Sequence, residues 1–122
     1  MNQSMANLIW IMVLSMLAGI GKGTANTIAH HFYKSIFANI KSEFWLKWFQ
    51  SSWLDRPNHP IWFLWDGWHF FDTLSYFVYL PLCLLVTDWL QLIEIVAFRW
   101  LMFHLLYNYL LISDKEYDNK AQ

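Results

Sequence analysis

Residues 61–86 read IWFLWDGWHFFDTLSYFVYLPLCLLV, a run long and apolar enough to cross a bilayer that nonetheless carries Asp66, His69 and Asp72 near its start. Ionisable groups at membrane depth are expensive, so those that persist there pair with something or act on something. The run therefore points to a membrane-spanning helix, and its carboxylates and imidazole are where a function is sought.

Composition outside the run agrees. The chain is 57% hydrophobic and only 14% charged, against about half and about a quarter for an ordinary soluble domain. Its nine Trp, six Tyr and ten Phe suit the belts that aromatic rings form at membrane–water interfaces. At 122 residues it allows one domain, 1–122. The net charge of −1 is uninformative, and no basic run looks like a phosphate-binding patch, so no nucleic-acid partner is expected. The lone Cys83 excludes an internal disulfide and a multi-cysteine metal centre.

Upstream, MANLIWIMVLSMLAGI at 5–20 is a second apolar run. No Lys or Arg precedes it and no Ala-x-Ala site follows it, so it reads as an uncleaved span over about 4–20 and not as a signal peptide. Gly19, Gly21 and Gly23 are expected to end that helix. The Gly-Lys-Gly-Thr string at 21–24 lacks the spacing of a phosphate-binding loop, and no cofactor-binding motif is expected. Between this span and the next lies an interfacial segment, 24–60. Over 27–41 it predicts an amphipathic helix with Ile28, Phe32, Ile36, Ala29, Tyr33 and Ile40 on its apolar face and His30, Lys34 and Lys41 opposite, placed to contact headgroups. The segment 55–60, DRPNHP, predicts a turn. The middle span is expected over 66–86, kinked at Pro81. Asp88 caps the last span, 89–112, with Gln91 as its capping partner. The polar tail, 113–122, is expected to be disordered. The fold class is thus all-α: a polytopic membrane protein with three transmembrane helices and an amphipathic interfacial segment between the first and second.

Charge orients it. Five Lys or Arg lie between Lys22 and Arg56, two more lie in the tail, and the N-terminal stub and the 87–88 hairpin have none. The positive-inside rule puts the 21–60 segment and the C-terminus in the cytoplasm and the N-terminus outside, as for a multi-pass protein of a cell (inner) membrane.

Two groups of polar residues follow. Counting back from the hairpin sets Asp72 near the level of His104, with Arg99 deeper; Asp72 and Glu94 are its candidate partners. With Asn108, these residues form an expected intramembrane polar network, a stripe on the last span facing a stripe on the middle one. At the cytoplasmic edge, Asp66 and His69 share a helical face, and His31 comes from the interfacial segment. Imidazole with carboxylate can hold a divalent metal such as zinc or act as an acid–base pair, so His31, Asp66 and His69 are the candidate metal ligands and the candidate catalytic residues. A histidine that merely braces Asp66 is the plain alternative.

The order His30-His31-Phe32, Ser35-Ile36-Phe37, Phe44-Trp45, Ser52-Trp53 and Asp66-Gly67-Trp68-His69 resembles a group of small, uncharacterised bacterial and phage-type integral membrane proteins. The resemblance covers roughly 18–71 and departs after Ser52-Trp53, where Leu54-Asp55-Arg56-Pro57 replaces a more basic stretch. It implies a membrane location and a shared His/Asp/Trp core, and no activity. Three functions stay open: a module whose His/Asp site binds a metal or a lipid headgroup at the cytoplasmic interface, a non-catalytic accessory or scaffold subunit, and an oligomeric proton or ion pathway. Whether the chain is an enzyme is left undecided by these residues. Its expected partners are the lipid bilayer and either further copies of itself or another membrane subunit.

Overall fold

The computed structural model describes residues 3–50 and 66–113. The expected turn at 55–60, the start of the 61–86 run and nearly all of the polar tail lie outside those residues. Among the described residues the chain is all-helical, with one isolated bridge between Ser35 and Ile112 and no strand.

Helix α1 is a single helix, Gln3–His31. It is longer than the 4–20 span expected, because the glycines do not end it. A glycine inside a helix costs about 1 kcal/mol relative to Ala, and here close packing offsets that cost. A Cβ on Gly19 would overlap the Arg99 carbonyl oxygen and come within 2.9 Å of Met102 Cβ. One on Gly23 would lie 3.1 Å from Leu106 Cβ, and one on Gly21, on another face, 2.8 Å from the Phe71 carbonyl oxygen. Small residues at four-residue spacing let helix backbones approach in this way. Two buried hydroxyls of α1 bond within the helix, Ser15 donating to the Ile11 carbonyl and Thr27 to that of Gly23.

After His31 the chain makes two 3-10 turns, Phe32–Lys34 and Ile36–Asn39, and then helix α2, Glu43–Gln50. The amphipathic helix expected over 27–41 is therefore replaced by the end of α1 and two turns, and its apolar face is split: Ile28 and Phe32 are buried, whereas Tyr33 and Ile36 are exposed. Ser35 is the cause. Its backbone is extended, its hydroxyl bonds the Phe32 carbonyl and the Phe37 amide, and its neighbours pair with the far end of the chain. The Ile36 amide donates to the Leu111 carbonyl at 2.9 Å, and the Ser113 amide to that of Lys34 at 2.7 Å.

The second column is α3, Gly67–Phe77, followed by α4, Tyr79–Leu85. They part at Val78, one turn before Pro81. Proline lacks the N–H that would bond four residues back and its ring presses on that carbonyl, so the break falls upstream of the proline itself. The third column is α5, Trp89–Leu105, continued by a π turn over Leu106–Leu110. Asp88 caps it by accepting from the Gln91 amide, as expected, while the Gln91 side chain reaches one residue further back than a capping box requires, to the Thr87 amide at 2.6 Å.

Helix α1 is the middle column, packed along α5 on one side and α3 on the other, whereas α3 and α4 hardly touch α5. It runs parallel to α5, since Gly19 meets Met102, Gly23 meets Leu106 and Ser35 meets Ile112. It runs antiparallel to α3 and α4, since Lys22 meets Asp72 while Ile11 and Ala18 pack with Val78 and Leu82 further along. Ile28, Phe32, Phe37 and Leu111 form a second cluster at the opposite end, where the 32–50 segment folds back. Two helical stretches, Gln3–Lys34 and Trp89–Leu110, are long and apolar enough to cross a membrane.

Candidate functional site

The Asp66-Gly67-Trp68-His69 string starts α3, and each residue has a visible task there. Asp66 is extended, and its Oδ1 accepts from the His69 amide at 2.8 Å, which caps the helix. Its Oδ2 lies 2.6 Å from His69 Nδ1, so the same carboxylate takes a second hydrogen bond from the imidazole. Gly67 leaves room for α2, because a Cβ there would sit 2.9 Å from Phe49 Cδ1 and 3.1 Å from Trp48 Cζ3. Trp68 stands edge-on to the His69 ring, with centroids 4.7 Å apart. Asp66 and His69 are 3% and 6% exposed, so the pair is a buried clasp under the aromatic residues of α2.

Of the three expected metal ligands and candidate catalytic residues, only Asp66 and His69 meet. The His31 ring packs on Tyr107, with centroids 5.0 Å apart. Among the described residues no group of three His, Cys, Asp or Glu side chains is placed to hold a metal. His31 stands apart from the pair because it ends α1 on the side facing the π turn of α5. The headgroup candidates His30, Lys34 and Lys41 are all exposed at this end of the bundle. On α2, a hydrogen bond from Lys47 to Glu43, 2.7 Å long, and the attraction of its charge hold the Glu43 carboxyl below the usual carboxylate range.

No family model, curated protein or solved structure matches the chain.

The polar residues expected to form an intramembrane network have other partners. Asp72 pairs with Lys22 of α1, Nζ to Oδ1 2.6 Å, and the ammonium also stands 5.5 Å from the Tyr76 ring centre. Neither Arg99, Glu94 nor His104 bonds Asp72, because α1 stands between the two columns that were expected to face each other. On the polar stripe of α5, Ala97, Leu101, His104 and Asn108 are exposed and Glu94 is half-buried. His104 stacks on Trp100 at 4.8 Å, and Asn108 donates back to the His104 carbonyl within the same helix. Arg99 lies over the Tyr79 ring, 6.0 Å from its centre, and its Nε is buried with no hydrogen-bond partner.

Sequence reasoning missed Lys22. The hairpin at 87–88 relates levels only between the last two helices. Setting residue 20 level with 66 puts Lys22 about 12 Å from the level of Asp72, so no count from the apolar ends finds the pair, which depends on α1 continuing past its glycines to His31. Gly19, Gly21 and Gly23 suggest a helix end by composition, although Gly19 and Gly23 stand at the Gly-x-x-x-Gly spacing of a helix contact.

Proposed function

We propose that the chain is a small multi-pass membrane protein whose three columns all cross the bilayer, and that it serves as a non-catalytic accessory or scaffold subunit that docks on other membrane helices. Membrane insertion is supported by where the apolar surface lies: only 28% and 11% of the two apolar windows are buried, far too little for core helices of a water-soluble fold. Parallel packing of α1 with α5 supports three crossings, since a chain that crosses twice in one direction must return between, and α3 with α4 is the return. At 1.5 Å per residue those two helices are about 28 Å long, about 20 Å of it on the apolar side of Asp72, so the return is short for a ~30 Å hydrocarbon core and its ends reach into the interfaces. Lys22 falls about 28 Å along α1 by the same measure, so the Lys22–Asp72 pair lies at the cytoplasmic boundary and the Asp66–His69 clasp in the interface beyond it. Exposed His30, Lys34 and Lys41 face the headgroups there, and the N-terminus is outside.

A docking role is carried by one observation, the unpartnered Arg99 Nε near the middle of a helix that is apolar on nearly every exposed side. Charged side chains at this depth are paired in working assemblies. The Asp66–His69 pair, by contrast, is engaged in capping α3, which favours bracing over catalysis. Tagged protein released from membranes in mild detergent should carry at least one further chain, its own or another, and Arg99→Leu should release it. A wild-type protein that is monomeric in native membranes, as judged by cross-linking, would sink this reading.

A further inference from the structure

Two side chains of α5 carry charges that nothing among the described residues balances: Arg99, described above, and Glu94, which forms no ion pair. Ile95 marks the side of α5 that is buried against α1. At about 100° per residue, Glu94 is turned about 100° from Ile95 in one sense and Arg99 about 40° in the other. The two are thus about 140° apart on the helix and do not meet within one chain. Arg99 falls on the α4 side, over Tyr79. There α4 and α5 splay apart around an apolar cleft of about 380 Å³ whose walls include Tyr79, Leu82, Cys83, Val86, Leu92 and Val96. Glu94 falls on the other flank, which no element of the fold covers among the described residues.

We infer that a second copy of this chain occupies the cleft, presenting the Glu94 flank of its α5 so that Glu94 pairs with Arg99 of the first copy, head to tail. Copies inserted in one membrane share one orientation, so the two residues differ in depth only by their five-residue separation, about 7.5 Å. With helix axes 8–10 Å apart, their Cα atoms lie about 12 Å from each other, within the joint reach of extended Arg and Glu side chains. Because the two flanks are different surfaces, the contact is heterologous and repeats around a closed ring. A foreign helix bearing a carboxylate would balance Arg99 and leave Glu94 without a cation; a second copy balances both. The inference rests on the docking reading above and names its partner.

Charge exchange tests it, read by native mass spectrometry from nanodiscs. Wild type is expected at whole multiples of 14.7 kDa, Arg99→Glu and Glu94→Arg each as monomers, and the double exchange again as the wild-type multiple. Co-expressed, the two single variants should form a mixed assembly containing both, which decides the matter even if the double variant does not fold. The proposal is overturned by a monomeric wild type, by either single reversal keeping the assembly, or by failure of both rescues. Association of wild type with a different polypeptide alone also overturns it, while leaving the docking role in place.

Discussion

Gly19 shows how one hydrogen in place of a methyl group sets the distance between two columns. On propensity alone, Gly19→Ala should stabilise the helix by about 1 kcal/mol. The added Cβ would instead meet the Arg99 carbonyl oxygen, which is backbone and cannot swing aside. Overpacking of this kind costs about 1–3 kcal/mol, so net destabilisation is expected in a reversible unfolding assay in mixed micelles. A Gly19→Ala variant more stable than wild type would mean that α1 and α5 stand further apart than described. Asp66 separates two tasks held by one carboxylate. Asn caps a helix about as well as Asp, so Asp66→Asn should lose only the bond to the His69 ring, about 1 kcal/mol. Asp66→Ala should lose the cap as well as the buried contact with the His69 ring, about 2–4 kcal/mol in all. Equal losses in the two variants would remove the capping role.

Between elements, the Lys22–Asp72 pair ties α1 to α3 at the end where both leave the apolar region. Replacing either partner leaves a partly buried charge alone, and Lys22→Met or Asp72→Leu should each cost about 1–3 kcal/mol. The double variant should cost less than the sum by about 0.5–3 kcal/mol, the signature of direct contact in a mutant cycle. Strict additivity would place the two side chains apart. Elements are also where the sequence was most and least legible. Apolar length marked the columns at 66–86 and 89–112 nearly to the residue, and Asp88 with Gln91 marked the last cap, because length and capping are local properties. The fate of Gly19, Gly21 and Gly23 was not legible, since the same residue ends a helix or admits a neighbour according to what packs on it. Ser35 is similar: its extended backbone depends on pairing with Ile112, 77 positions away. The Asp66–His69 contact was legible from i,i+3 spacing, whereas the position of His31 depended on how α1 ends, which no local pattern records.

At the scale of the whole molecule, the direction of α1 relative to α5 is the most informative feature, because the proposed three-crossing topology rests on it. Had the two long helices packed antiparallel, two crossings joined by a surface segment would satisfy them, and both ends would lie on one side. Their parallel packing leaves an odd number of crossings, with Gln3 and Ser113 at opposite ends of the bundle. The 32–50 segment, with its three lysines, then shares its end of the bundle with Ser113, and in the proposed topology the positive-inside rule assigns that end to the cytoplasm. A fluorescent protein fused after the C-terminus should therefore fold and fluoresce, since it stays inside. Alkaline phosphatase placed before Gln3, behind its own export signal, should be active. A third reporter makes the comparison decisive: alkaline phosphatase inserted between Thr87 and Asp88 should be active outside, because that hairpin lies at the same end as the start of α1. If the hairpin instead reports as cytoplasmic while the ends lie on opposite sides, α3 and α4 do not cross, and the Lys22–Asp72 pair cannot sit at a bilayer boundary. If both ends report inside, α1 and α5 cross in opposite senses and the parallel packing on which the topology rests is lost.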